Sequence, residues 1–170
     1  MGFDVPIAYH AISHAETGGE KNPFIRTKVK DAPGGSTAFG PTQITGKLAE
    51  GAHKAGYLKK SKDFYEKEMK PRYEKMKYHG NNKGKVKDYN PRYDYGGDAE
   101  FDSKKHSENY RVFSEEIMSG VGKEAKDDEN KFIEKWRGKS EKDDPGYYKK
   151  YREAKSSKEL GDEMKRQLER

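Results

Sequence analysis

Ala15-Glu16-Thr17-Gly18-Gly19, then Asn22-Pro23, then Ala38-Phe39-Gly40-Pro41-Thr42-Gln43-Ile44-Thr45: this succession decides how the chain is read. A lone carboxylate closes an apolar segment, a glycine turn follows, and a polar loop leads to a glycine-flanked stretch holding a glutamine. Upstream, residues from about 5 to 17 are expected to form a helix. Pro6 suits a first-turn position, where its missing N–H costs nothing. Ala8, Ile12 and Ala15 follow i, i+4, i+7 spacing and make one apolar stripe. Glu16 falls at the edge of that stripe, and Gly18-Gly19 ends the helix. A carboxyl so placed can be partly desolvated, which penalises its charged form and raises its pKa. Glycoside cleavage needs such a group, because an acid protonated near neutral pH must protonate the leaving oxygen.

Outward from this stretch the chain becomes more polar. Of its 170 residues, 39% are charged and 30% hydrophobic, and the mean hydropathy is −1.34. Those values lean toward disorder. Twelve Tyr, seven Phe and one Trp act the other way, since each buries a large area. A folded single domain with a thin core is expected. There is no cysteine, so disulfides and thiolate metal sites are excluded. Met1-Gly2-Phe3-Asp4-Val5-Pro6 has no basic leader and no long apolar run. The expectation is synthesis in the cytoplasm without a signal peptide or membrane span. Net charge is +6, a modest field that favours polyanions such as the bacterial wall or nucleic acid.

Charge is unevenly placed. Residues 1–58 hold six Lys/Arg and five Asp/Glu, and the other 30 and 25 follow. Further helices are expected over roughly 46–58 and over 61–77, where Pro71 should kink or break the second. A long loop is expected from about 78 to 106, rich in Gly, Asn, Asp and Tyr. Helical spacing returns at 107–119 through Tyr110, Phe113 and Ile117, and at 128–137 through Phe132, Ile133 and Trp136. Pro145 opens another helix carrying Tyr147, Tyr148 and Tyr151, ahead of a charged helical tail at about 156–170.

In residue order the chain resembles lysozyme-like lytic transglycosylases and bacteriophage endolysins, and with them the goose-type lysozymes. Ala11-Ile12-Ser13-His14-Ala15-Glu16-Thr17-Gly18-Gly19 is similar to the family's apolar helix ending in the catalytic Glu and a Ser/Thr. Asn22-Pro23 matches the Asn-Pro after that turn. Ala38-Phe39-Gly40-Pro41-Thr42-Gln43-Ile44 resembles its Gly-Leu-Met-Gln-Ile segment, with Pro-Thr replacing Leu-Met. Trp136-Arg137-Gly138 and Asp144-Pro145-Gly146-Tyr147 sit where the family has an Asn-Ala-Gly-like turn and a helix bearing a Tyr beside the acid. Residues 59–89 and the tail have no counterpart.

The resemblance implies an α+β, predominantly α-helical lysozyme-like fold spanning 1–170 as one catalytic domain, with its core motifs in 5–58. It implies cleavage of the β-1,4 bond between N-acetylmuramic acid and N-acetylglucosamine in peptidoglycan. Glu16 would be the acid/base, with Gln43, Thr45, Tyr147 and Trp136 in substrate binding and Tyr147 leaning on the Glu16 carboxyl. A partner carboxylate is needed for hydrolysis by the usual routes. Asp31 lies in the stretch where goose-type lysozymes carry one Asp, while Thr45 stands where they carry another. Transglycosylases instead use a single Glu and close a 1,6-anhydro ring, so both products remain open. No cofactor or metal is implied. His10 and His14 share a helix face, but no HExxH or third ligand accompanies them. Expected partners are peptidoglycan glycan strands, with no obligatory nucleic acid and no membrane insertion, and the protein is expected to be a monomer. It would reach the wall as a released endolysin or from a virion. The alternative is a basic, non-catalytic protein that binds nucleic acid or wall polymer, using the Lys/Tyr mixture at 59–95.

Overall fold

The computed structural model describes residues 3–18, 38–81 and 103–169, the side chains of 77–81 and 103 excepted. Its elements are α1 (Val5–Thr17), α2 (Gly46–Lys54), α3 (Lys62–Phe64), a π-helical turn (Tyr65–Met69), α4 (Lys70–Asn81), α5 (Ser103–Glu124), α6 (Glu129–Arg137) and α7 (Pro145–Leu168). The described residues are predominantly helical and contain no strand, only an isolated antiparallel bridge between Phe39 and Ile44. The α+β expectation is corrected to that extent. A hairpin pair of backbone bonds here closes a tight turn and is not extended into a sheet.

The chain divides into two compact units, Met1–Gly19 with Met118–Arg170, and Glu20–Ile117. In the first, α1 packs along α7. Helix α1 starts where Asp4 accepts from the Ile7 amide at 3.0 Å, with Pro6 in the first turn. It ends at Gly18, whose φ of 59° is left-handed and whose N–H reaches the His14 carbonyl at 2.8 Å. Ala8, Ala11 and Ile12 are buried, and Ala15 is half-buried. Phe3 lies 4.3 Å from the Phe132 ring. Its ring passes over Gly122, where a Cβ would stand 2.8 Å from Phe3 Cδ1, so any larger residue there would displace the Phe3 ring. Asp128 caps α6 through the Lys131 amide at 3.0 Å. Phe132, Ile133, Trp136, Tyr148 and Tyr151 complete the core.

The second unit is organised by hydroxyls. Tyr110 and Tyr73 are buried, and their hydroxyls donate to the carbonyls of Phe39 (2.8 Å) and Ile44 (2.9 Å), one at each end of the turn. Thr42 Oγ1 shares bonds with Tyr110 Oη (2.9 Å) and Ser114 Oγ (2.8 Å). Gly40 has φ of 81° and rests against the Tyr110 ring, where a Cβ would meet Cε2 at 2.4 Å. Phe113 stacks on Tyr65 at 6.1 Å. Glu116 accepts from the amides of Lys59, Lys60 and Ser61, fixing the chain that enters α3.

Helix boundaries depart from the expected ones in three places. Pro71 does not break its helix: Lys70 donates to the Tyr65 carbonyl five residues back, and α4 runs on through Pro71 to Asn81. The wide turn relieves the clash a proline ring makes with the carbonyl four residues before it. Residues 78–81 and 103–106 are helical rather than loop, and 82–102 lie outside the described residues. The charged tail expected at about 156–170 is helical over 156–168, where it continues α7 and does not form a separate element. No helix of the described residues is long and apolar enough to cross a membrane.

Candidate active site

Glu16 stands in the last turn of α1, half-buried, one residue before Thr17, whose hydroxyl donates to the Ser13 carbonyl at 2.7 Å. Tyr147 projects from the first turn of α7 and donates its hydroxyl to Glu16 Oε1 at 2.8 Å, across 131 residues of sequence. Pro145 presets the start of α7, which places Tyr147 in its first turn. Arg137, the last residue of α6, lies over the Tyr147 ring with its guanidinium carbon 5.1 Å from the centroid. Its Nε donates to Asp144 Oδ2 at 2.9 Å. Gly138, left-handed at φ 78°, turns the chain between them.

Burial pushes the Glu16 carboxyl above its ordinary value. The Tyr147 hydrogen bond and the positive charge of Arg137 act against that rise, and Asp144 adds to it. Tyr147 moves much further in the same direction, first through burial and then through the neighbouring Glu16 charge. The phenol therefore keeps its proton at any ordinary pH and is the donor in this pair. Glu16 Oε1 accepts, and Oε2 is the oxygen from which a proton can be given or taken.

Gln43, Thr45 and Trp136 each have contacts of their own. Gln43 adopts φ of 52° at the end of the Phe39–Ile44 turn, with its Nε2 donating to the Gly40 carbonyl at 2.9 Å. Thr45 is the N-cap of α2, its hydroxyl accepting from the Leu48 amide at 3.1 Å. Both belong to the second unit. The Thr45 hydroxyl is thus engaged in starting a helix, a use the residue order did not reveal. Trp136 is 8% exposed and packs beside Phe132 at 5.8 Å, which makes it a core side chain with little surface to offer a ligand. Asp31 lies outside the described residues. His10 and His14 are exposed on α1.

Arg137 and Asp144 were not among the expected site residues. The available signal was their position, one at each end of the short turn joining two helices and directly flanking Gly138 and Pro145. Thr42, where the resembled family has an apolar residue, is explained by the Tyr110–Thr42–Ser114 hydroxyl cluster: an apolar side chain there would leave Ser114 with one partner fewer. No family model, no curated protein and no solved structure matches this chain.

Proposed function

We propose that the protein is a peptidoglycan-degrading glycosidase of lysozyme-like architecture, with Glu16 as its general acid and base. The observation that carries this reading is the Glu16–Tyr147 pair. A half-buried carboxyl with a raised pKa accepts a hydrogen bond on one oxygen from a phenol that cannot itself ionise. Such a carboxyl stays protonated further toward neutral pH than an exposed one, and its orientation is fixed.

In the proposed reaction, Glu16 Oε2–H protonates the oxygen linking N-acetylmuramic acid to N-acetylglucosamine. The bond from the muramic anomeric carbon to that oxygen breaks, and the departing sugar keeps the proton as a hydroxyl. The resulting Glu16 carboxylate then takes a proton from the incoming nucleophile, water or the muramic 6-hydroxyl, as that oxygen closes on the anomeric carbon. Water gives a reducing end. The 6-hydroxyl gives a 1,6-anhydro end and needs no second carboxylate on the protein. The residue order of 8–58 supports glycan strands as the substrate, and net charge of +6 favours an anionic wall. By the same resemblance the enzyme acts on the cell wall as a released or virion-borne endolysin.

The test is digestion of purified peptidoglycan followed by mass spectrometry of the soluble products. Muropeptides carrying either a reducing or a 1,6-anhydro muramic end are expected, the two differing by one water. Release of no glycan fragments by folded protein contradicts the proposal.

A further inference from the structure

We propose that Arg137 is a positioning residue for Glu16, holding it through the ring of Tyr147. Three contacts make the chain: Asp144 Oδ2 fixes Arg137 Nε at 2.9 Å, the guanidinium covers the Tyr147 ring at 5.1 Å, and the Tyr147 hydroxyl reaches Glu16 Oε1 at 2.8 Å. They link the end of α6, the start of α7 and the end of α1, three elements of one compact unit.

The turn supporting Arg137 is itself pinned. The Gly138 amide closes α6 onto the Glu134 carbonyl at 2.7 Å, Ser140 donates to Asp143 at 3.1 Å, and the Tyr148 hydroxyl holds the Lys139 carbonyl at 2.8 Å. With the turn so held, the Asp144 hydrogen bond keeps the Arg137 guanidinium over the ring. A tyrosine hydroxyl swings on a long lever, so constraining its ring face constrains the oxygen that meets Glu16. The planar guanidinium suits this task because it can lie on a π face while its edge binds a carboxylate. An ammonium keeps the charge but loses the flat face and the fork.

The charged and titratable groups acting on Glu16 are Tyr147 and Asp144 at the start of α7 and Arg137 at the end of α6. Removing the guanidinium has two effects of the same sign. It takes away a positive charge that favours the carboxylate, and it frees the phenol whose hydrogen bond also favours it. The Glu16 titration midpoint should then rise.

The experiment uses the full chain with ¹³C-labelled glutamate. The Glu16 carboxyl signal, assigned by its absence in Glu16→Gln, is followed against pH in the wild type, Arg137→Gln and Arg137→Lys. The midpoint is expected to move up in Arg137→Gln and by a smaller amount in Arg137→Lys, with helix content by circular dichroism unchanged. The lysine variant also serves if the glutamine variant does not fold. Midpoints that coincide in the wild type and the folded variants overturn the proposal. A second arm rests on the glycosidase reading: with soluble peptidoglycan fragments, Arg137→Gln should lower kcat by roughly tenfold or more while KM stays within about twofold. An unchanged kcat in an active enzyme also overturns the inference. A wild type that cleaves nothing, yet whose Glu16 midpoint follows Arg137, removes the glycosidase and keeps the inference.

Discussion

Tyr147 donates to a carboxyl that burial is already pushing toward neutrality, so two opposed effects meet on Glu16 and burial wins. A raised folded-state pKa means that Glu16 supports folding fully below its unfolded value. That support is lost as pH rises through the folded value, where the buried group must ionise. Glu16→Gln cannot ionise and keeps the size and the acceptor oxygen. The variant should therefore melt higher than the wild type at neutral pH, and the gap should close as pH falls below the carboxylate range. Calorimetry across pH checks this, and a variant that melts lower at neutral pH contradicts it. Tyr147→Phe removes the hydrogen bond that favours the carboxylate, so the Glu16 midpoint should move up and carry the alkaline fall of any lytic activity with it.

At the level of elements, Pro6 and Gly18-Gly19 marked the two ends of α1 in the sequence, and apolar spacing marked α6. The caps formed by Asp4, Asp128 and Gly138 add hydrogen bonds that the residue order did not single out. The fate of Pro71 was not readable, because a π turn is stabilised by tertiary packing and has no local signature; Tyr65 and Met69 are both buried within it. The Glu16–Tyr147 contact was anticipated only through resemblance, since nothing local connects residues 131 apart. Arg137 and Asp144 stayed hidden for a different reason: where 39% of residues are charged, one more Arg–Asp pair carries no signal until its neighbour is known.

Glu116 ties the chain entering α3 to α5. Burial alone would raise its pKa, but the amides of Lys60, Ser61 and Lys59 outweigh that and hold it below the ordinary value. Its contribution to stability is present above the unfolded pKa and is lost as pH falls through the lowered folded value. Glu116→Ala should cost about 1–3 kcal/mol near neutral pH, because three amides lose an ionised acceptor. The cost should shrink in acid. Urea melts at two pH values measure it, and a loss independent of pH would show that the carboxylate's charge is not what matters. Gly40→Ala is a harsher change, combining left-handed strain with overlap on the Tyr110 ring. A loss of roughly 2–4 kcal/mol is expected in the same melts.

For the whole molecule, the buried side chains and the surplus of lysine and arginine have separate consequences. Aromatic pairs, Phe132–Trp136 and Tyr147–Tyr148 in one unit and Tyr65–Phe113 in the other, pack among buried aliphatic side chains such as Ile12, Met69 and Ile117. Function at an anionic wall would draw on the net +6, and exposed charges are screened over about 8 Å at physiological ionic strength. Lysis should accordingly slow as sodium chloride is added; a flat profile would remove charge steering from the account.

Whether Glu16 supplies the proton is decided by comparing wild type and Glu16→Gln in turbidity clearance of outer-membrane-permeabilised bacteria, after circular dichroism has established that both are folded. The wild type should clear the suspension, and the variant should lose about 10² to 10⁴ in rate. A folded Glu16→Gln protein that clears at near the wild-type rate would contradict that role.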